Sequence, residues 1–202
     1  MFIDEIKDIN SQKVKIFSDN GIAFVLYKGD LSKYGIKTGE VDDSVIDEIL
    51  TELLPKRALA RALKIITGRD MTEKMLFDKL SDDGYSDEVC EGVIEKLKAE
   101  RLIDDERFIR GYIESKSLKK SKRDIIAALY EKGIDSDKAS SVYDELYSEG
   151  ELTSEIDLIK ALFNKRRFDP ENADYEECRK EIQYLLRKGF SFDSIRSAMK
   201  GL

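Results

Sequence analysis

Several residue types that support catalysis are scarce or absent. The 202-residue sequence contains no histidine and no tryptophan, and only two cysteines and two prolines. Histidine is the usual general base near neutral pH and the commonest metal ligand. The chain also lacks a glycine-rich phosphate loop, a Gly-x-Ser-x-Gly motif and two carboxylates in contrasting surroundings. We therefore expect a protein that is not an enzyme and that has no cofactor and no metal.

Long apolar runs are missing as well. No stretch approaches the roughly 20 residues that a membrane span needs, and the N-terminus lacks the basic-then-apolar pattern of a signal peptide. We expect a cytoplasmic protein without a membrane partner. Cys90 and Cys178 fall in helical patterns, which favours buried thiols over a disulfide or a metal pair.

Charge is abundant and unevenly distributed. Charged residues make up 38% of the chain, and its net charge is −7. Residues 1–55 contain 6 basic and 11 acidic side chains, so this segment supplies most of the excess. Because proteins that bind free duplex DNA usually run basic, the balance argues against a dedicated DNA binder.

The first 55 residues predict a small β structure followed by a helix. Alternating residues 13–17, a turn ending at Gly21 and the apolar run 22–27 indicate a hairpin. Residues 2–9 predict a third strand, and residues 31–34 a helical turn closed by Gly35 and Gly39. Residues 42–54 predict a helix whose acidic face is either solvated or a docking surface. Pro55 then predicts the start of a new helix.

Gly84, Gly133 and Gly189 mark an internal repeat in the rest of the chain. Each follows a helical run, has a leucine four residues before it and an apolar residue after it. The positions 6, 9, 10 and 13 residues after each glycine are all apolar or small: Cys90, Val93, Ile94 and Leu97; Ala139, Val142, Tyr143 and Leu146; Ile195, Ala198, Met199 and Leu202. Each glycine is predicted to end a helix in the left-handed conformation. The following helices are predicted to be N-capped by Ser86, by Asp135 or Ser136, and by Ser191.

The predicted fold is therefore mainly α, a tandem array of three three-helix repeats preceded by a small β-hairpin plus helix. The predicted domains are residues 1–55, 56–99, 103–149 and 152–202. Asp104 or Asp105 is expected to cap the first helix of the second repeat, with Leu102 and Ile103 packed against that helix as a staple. Phe108 is expected to be the buried centre of this repeat.

Three strings at fixed spacing resemble the RecX family: Lys74-x4-Lys79-Leu80-x3-Gly84, Leu102-Ile-Asp-Asp-Glu-Arg-Phe108 and Ala128-Leu-Tyr-Glu-Lys-Gly-Ile134. The resemblance covers the whole chain, and members of this family regulate the RecA recombinase. It implies binding in the groove of a RecA filament on single-stranded DNA, with inhibition of ATP hydrolysis and strand exchange. The motif residues are expected to be mainly structural: Leu102, Ile103, Asp104, Asp105, Phe108, Gly84, Gly133 and Gly189. Ser121 stands where the family often has glycine, which implies a continuous helix or a stiffer turn.

Two groups of basic residues are the candidate binding residues. Lys116, Lys119, Lys120, Lys122 and Arg123 form a dense cluster, and Lys165, Arg166 and Arg167 occupy a similar place in the third repeat. They predict either a face that follows a phosphate backbone or ordinary helix ends, where cations suit the C-terminal dipole. We expect a monomer that contacts a RecA-type filament, with single-stranded DNA as a secondary contact.

Two other classes of protein remain open. Three-helix units resemble the helix-turn-helix motif, which would make the chain a tandem DNA-binding protein. The last helix of the first repeat, however, carries Asp87, Glu88, Glu91 and Glu95, which would repel phosphate. The second alternative is a helical protein-interaction scaffold unrelated to recombination.

Overall fold

The computed structural model describes residues 1–200 and divides the chain into two compact units. The first spans Met1–Asp104, and the second begins at Asp105. Leu202, which the repeat pattern assigns to an apolar position, lies outside the described residues. No helix of the described part is long and apolar enough to cross a membrane.

The first unit opens with a four-stranded antiparallel sheet. Its strands are β1 (Phe2–Asp8), β2 (Lys13–Ser18), β3 (Ala23–Tyr27) and β4 (Gly39–Glu40), in the order β3-β2-β1-β4. The predicted hairpin and third strand are confirmed. The short strand β4 was not predicted, and Gly39 begins it instead of closing the helical turn α1 (Lys28–Tyr34).

Alternation along the strands places one face of the sheet in a core. Val14 pairs with Leu26 and Ile16 with Phe24, and all four side chains are buried on that face. Further buried side chains complete this core: Ile3, Ile36, Ile46, Ile49 and Leu54.

One helical run links this core to the first repeat. It consists of α2 (Asp43–Glu48), a π-helical segment (Ile49–Leu53) and α3 (Leu54–Ile66). α3 begins at Leu54, so Pro55 stands in its first turn as predicted, although no loop separates α3 from the helical segments before it. Proline in an α-helix lacks the N–H donor and clashes with the carbonyl four residues back. The π segment widens the turn at this point, and the Leu54 N–H donates to the Ile49 carbonyl, five residues back.

The first three-helix repeat consists of α3, α4 (Glu73–Asp82) and α5 (Asp87–Ala99). Its core contains the small residues Ala58 and Ala62 of α3, where α5 can approach closely. The other buried members are Leu76, Leu80, Cys90, Val93, Ile94, Leu97 and Ile103. Burial raises the pKa of the Cys90 thiol to about 11, so this cysteine is the inert, buried type that was predicted.

The second unit contains two further three-helix repeats. The helices are α6 (Asp105–Ser117), α7 (Lys122–Tyr130), α8 (Ser136–Ser148), α9 (Glu155–Arg166), α10 (Tyr175–Arg187) and α11 (Phe192–Lys200). Each repeat has its own core, one around Ile109, Ile113 and Leu129, the other around Ile159, Phe163 and Leu185.

The repeat glycines and the serine and aspartate caps take their predicted roles. Gly84, Gly133 and Gly189 have φ values of 95°, 84° and 83°. The Ser86, Asp135 and Ser191 side chains each accept a hydrogen bond from a backbone N–H in the first turn of the next helix. The glycines that end helices and the serine or aspartate residues that begin them were therefore sufficient to predict the repeat from the sequence.

Two details of the second repeat differ from expectation. Phe108 is only half-buried, and the fully buried residues of α6 are Ile109 and Ile113. Ile103 packs in the core of the first repeat and Leu102 is 43% exposed, so the predicted staple on α6 was wrong. Leu152 likewise packs in the core of the repeat that precedes it.

Candidate nucleic-acid interface

The basic cluster, Lys116 to Arg123, lies where α6 gives way to α7. α6 ends at Ser117 and the exposed Leu118 follows. Ser121 is fully buried, and its Oγ accepts a hydrogen bond of 3.2 Å from the Asp124 N–H. Ser121 therefore N-caps α7, so the helix does not run on and the loop is a stiff, capped turn.

Two lysines of the loop project without an ion partner. The backbone N–H groups of Lys119 and Lys120 donate to the Lys116 carbonyl at 2.9 and 3.0 Å, which closes the turn. Both side chains are exposed, and neither forms a salt bridge within residues 1–200. Leu118, at 67% exposure, stands beside them. The loop thus presents two cations and one apolar side chain to solvent.

Lys122 and Arg123 occupy the first turn of α7. Cations are unfavourable at a helix N-terminus. The alternative that these basic residues are ordinary helix C-terminal ends therefore does not explain Lys122 and Arg123. Lys122 Nζ is held by the Asp144 carboxylate at 2.7 Å and lies 5.4 Å from the centre of the Tyr143 ring. The Arg123 guanidinium donates to the Leu186 carbonyl at 3.4 Å. Both side chains are partly engaged by the protein.

The basic group Lys165–Arg167 lies at the end of α9, and its three members differ. Arg166 Nε donates to both carboxylate oxygens of Glu181, at 2.8 and 3.0 Å, and Glu181 is only 5% exposed. The Arg166 guanidinium also lies 3.9 Å from the centre of the Tyr184 ring. Arg166 thus ties α9 to α10, whereas Lys165 and Arg167 are exposed and remain candidates for binding.

The two basic groups lie at opposite ends of α9. The Lys122 N–H donates to Glu155, the first residue of α9, at 3.3 Å. Arg166 is the last residue of the same helix, so α9 separates the groups by about 16 Å at 1.5 Å per residue. A ligand that touched both would have to be extended.

A close contact between the second and third repeats was missed by sequence reasoning. Gly189 is buried, and a Cβ atom at this position would overlap Ser121 Oγ and come within 2.6 Å of Asp124 Oδ1. Gly189 therefore packs on the N-terminus of α7, next to the basic cluster. Ser121 was the residue in the sequence that could have indicated this contact, because its Oγ occupies the space that the missing side chain of Gly189 leaves open.

The fold is that of a mainly α-helical protein whose three-helix repeats follow an N-terminal sheet. Residues 58–97 match the model of the first three-helix domain of RecX, and residues 153–199 match the third. A regulatory protein RecX of Finegoldia magna is 31% identical over 204 residues, which cover 96% of each chain. One of Clostridium botulinum is 29% identical over 200 residues, which cover 97% of this chain and 92% of the relative.

Solved structures agree with these sequence matches. A crystal structure of regulatory protein RecX covers 100% of this chain and 99% of its own, with a TM-score of 0.65 and 25% identity. RecX from Lactobacillus salivarius covers 73% of this chain and 95% of its own, with a TM-score of 0.63. The chain belongs to the RecX family of regulatory proteins.

Proposed function

We propose that the protein is a non-enzymatic regulator that binds a RecA-type recombinase filament on single-stranded DNA. Bound in this way, it lowers ATP hydrolysis and strand exchange. Family membership supports the partner, and the loop with exposed Lys119 and Lys120 is the observation that supports the contact. The net charge of −7 fits a protein that recognises a protein filament and touches DNA only secondarily.

The proposed interface consists of the two basic groups, used to different degrees. Lys119 and Lys120 approach phosphates or acidic filament surface directly, with Lys116 and Arg123 beside them. Lys165 and Arg167 form the second contact. Lys122 and Arg166 hold the helices that carry these residues, through Asp144 and Glu181. We further propose that the protein acts as a monomer in the cytoplasm, and that residues 1–55, 56–99, 103–149 and 152–202 are its modules.

The helix-turn-helix alternative gains no support from the last helices of the first and second repeats. In α8 the exposed residues include Asp137, Asp144 and Glu145, as in the acidic α5. A recognition helix needs donors that reach base edges, and carboxylates repel the phosphates beside them.

The test is the double variant Lys119→Glu/Lys120→Glu in a recombinase ATPase assay on single-stranded DNA. Both side chains are exposed and form no salt bridge in the described part of the chain, so stability should change by less than about 1 kcal/mol. Inhibition should weaken strongly because attraction is replaced by repulsion. The residual binding should depend less on salt, since fewer counterions are released per complex.

Lys37→Glu/Lys138→Glu is the matched control, because these lysines are exposed and make the same change in net charge. Co-sedimentation with filaments and with naked DNA of equal length separates a filament binder from a DNA binder. Equal loss of inhibition in both double variants would show that net charge, and not the loop, matters. Full inhibition by the loop variant would refute the proposed contact.

A further inference from the structure

The first unit contains a cavity of about 450 Å³ whose lining is rich in basic side chains. Lys13 and Tyr27 reach it from the sheet, and Arg57, Arg61 and Lys64 from α3. Its volume falls in the range of small-molecule sites. This concentration of cations occurs in the unit that holds the most acidic segment of the chain.

The three cations of α3 form one row. Arg57, Arg61 and Lys64 are spaced by four and three residues, which places them on the same face of the helix. Successive members are about 6 and 4.5 Å apart along the helix axis. The row therefore offers donors over a length that fits one phosphate group or two neighbouring ones.

The carboxylates near the cavity leave positive charge in excess. Asp30 accepts hydrogen bonds from both terminal nitrogens of Arg57, one of them at 2.8 Å. Asp83 serves two cations, since it accepts from Arg61 Nε at 2.7 Å and lies 3.6 Å from Lys13 Nζ. The exposed Lys64 side chain has no ion partner within residues 1–200.

The donors that remain suit a tetrahedral anion. Lys64 contributes an ammonium group, and Arg61 keeps its two terminal nitrogens after Nε is bound to Asp83. Tyr27 and Tyr85 also line the cavity. Burial raises the pKa of the Tyr85 phenol above its usual value, so this phenol stays protonated as a donor.

We propose that this cavity is a phosphate-binding site, with Arg61 and Lys64 as the principal ligands. The phosphate belongs either to a free phosphate ester, such as a nucleotide, or to the backbone of a nucleic-acid strand. The site is separate from the basic cluster on α6 and α7, and it does not depend on the proposed contact with a recombinase.

The experiment is an NMR titration of the full chain, without recombinase, at constant ionic strength. The probes are inorganic phosphate, thymidine monophosphate and a short oligothymidylate, with acetate as the reference anion. Saturable shifts should appear at Tyr27, Arg61, Lys64 and Tyr85 with the phosphate probes and not with acetate. Comparable affinity for the nucleotide and the oligomer identifies a free ester, and much tighter, salt-dependent binding of the oligomer identifies a strand.

Lys64→Gln is the decisive variant because the exposed side chain has no ion partner among the residues that the structure describes, so its loss should not disturb the fold. It should weaken phosphate binding about fivefold to tenfold, as expected for one charge-assisted hydrogen bond at a partly exposed site. Lys74→Gln, on an exposed position of α4 beside Asp78, is the matched control and should change nothing. Undiminished binding by Lys64→Gln, equal weakening in both variants, or shifts confined to Lys119 and Lys120 would each overturn the proposal.

Discussion

At the scale of single residues, Gly189 is closely surrounded in the second unit. Gly189→Ala would introduce a methyl group at φ 83° and drive it into Ser121 and Asp124. We expect a loss of at least about 2 kcal/mol in the free energy of unfolding, from backbone strain and overpacking together. Urea denaturation followed by circular dichroism measures it.

Gly111→Ala is the control for this change. Gly111 lies in α6, is exposed, and a Cβ atom there would have no neighbour within 4 Å. Alanine in a helix interior is favoured over glycine by about 0.5–1 kcal/mol, so this variant should be more stable than the parent. If Gly189→Ala were equally harmless, the contact with α7 would not be the tight one described.

Phe108 and Ile109 are adjacent apolar residues of α6 that differ in burial, so their variants test how far burial determines the contribution to stability. Ile109 is fully buried, so Ile109→Ala should cost about 2–5 kcal/mol of unfolding free energy. Phe108→Ala should cost less, although it removes more atoms, because the ring is only half-buried. A larger loss for Phe108→Ala would restore it as the centre of the repeat.

At the scale of elements, the sequence predicts the pieces that local chemistry decides. The hairpin follows from alternation and Gly21, and the three-helix repeats follow from their glycines and caps. The strand β4 has only two residues and forms by pairing with β1, so no local sequence pattern predicts it. Pro55 predicts the first turn of α3, but no local signal predicts the π segment that joins α2 to α3.

The pair Arg166–Glu181 makes one prediction for how α9 is held to α10. Arg166→Gln removes the cation beside a buried carboxylate and should cost about 1–3 kcal/mol of unfolding free energy. Lys165→Gln, one residue earlier and exposed, should change stability by less than about 0.5 kcal/mol. Equal stability of the two variants in urea would contradict a structural role for Arg166.

The pair Asp30–Arg57 ties α1 to α3 and predicts a pH dependence. The Arg57 guanidinium lowers the pKa of the Asp30 carboxyl below its ordinary value of 3.8. A lowered folded-state pKa stabilises the protein above the unfolded pKa, and the gain is lost as pH falls through the folded one. The parent should therefore exceed Asp30→Asn in thermal stability at neutral pH, and the difference should shrink below about pH 4. A difference that stays constant down to acid pH would argue against the pair.

At the scale of the whole molecule, each unit has its own cores. The two cores of the second unit consist of residues between Phe108 and Met199. A fragment that begins at residue 105 should therefore unfold cooperatively and keep a helical circular-dichroism spectrum. A fragment without a cooperative transition would show that the second unit needs the first.

The sequence predicts which residues belong to the candidate site, but not how their side chains are arranged. The sequence names the basic residues of both groups, but it cannot tell that Lys122 and Arg166 are engaged by Asp144 and Glu181. Those carboxylates lie 22 and 15 residues away in the chain. Nor does it reveal the cavity of the first unit, whose cations come from a strand and a helix joined only by folding.

The π segment has one more consequence, which concerns the angular phase of the helix that contains it. Buried residues step from Ile49 to Leu54, five positions, before four-residue steps resume at Ala58. One residue turns an α-helix by about 100°, so the extra residue keeps Leu54 on the same core as Ile49 and sets the direction in which Ala58 and Ala62 meet the next core. Deleting Thr51 would rotate Arg57, Arg61 and Lys64 together by that angle, away from Asp30 and Asp83. The phosphate site therefore depends on the count of residues in a segment that does not line it.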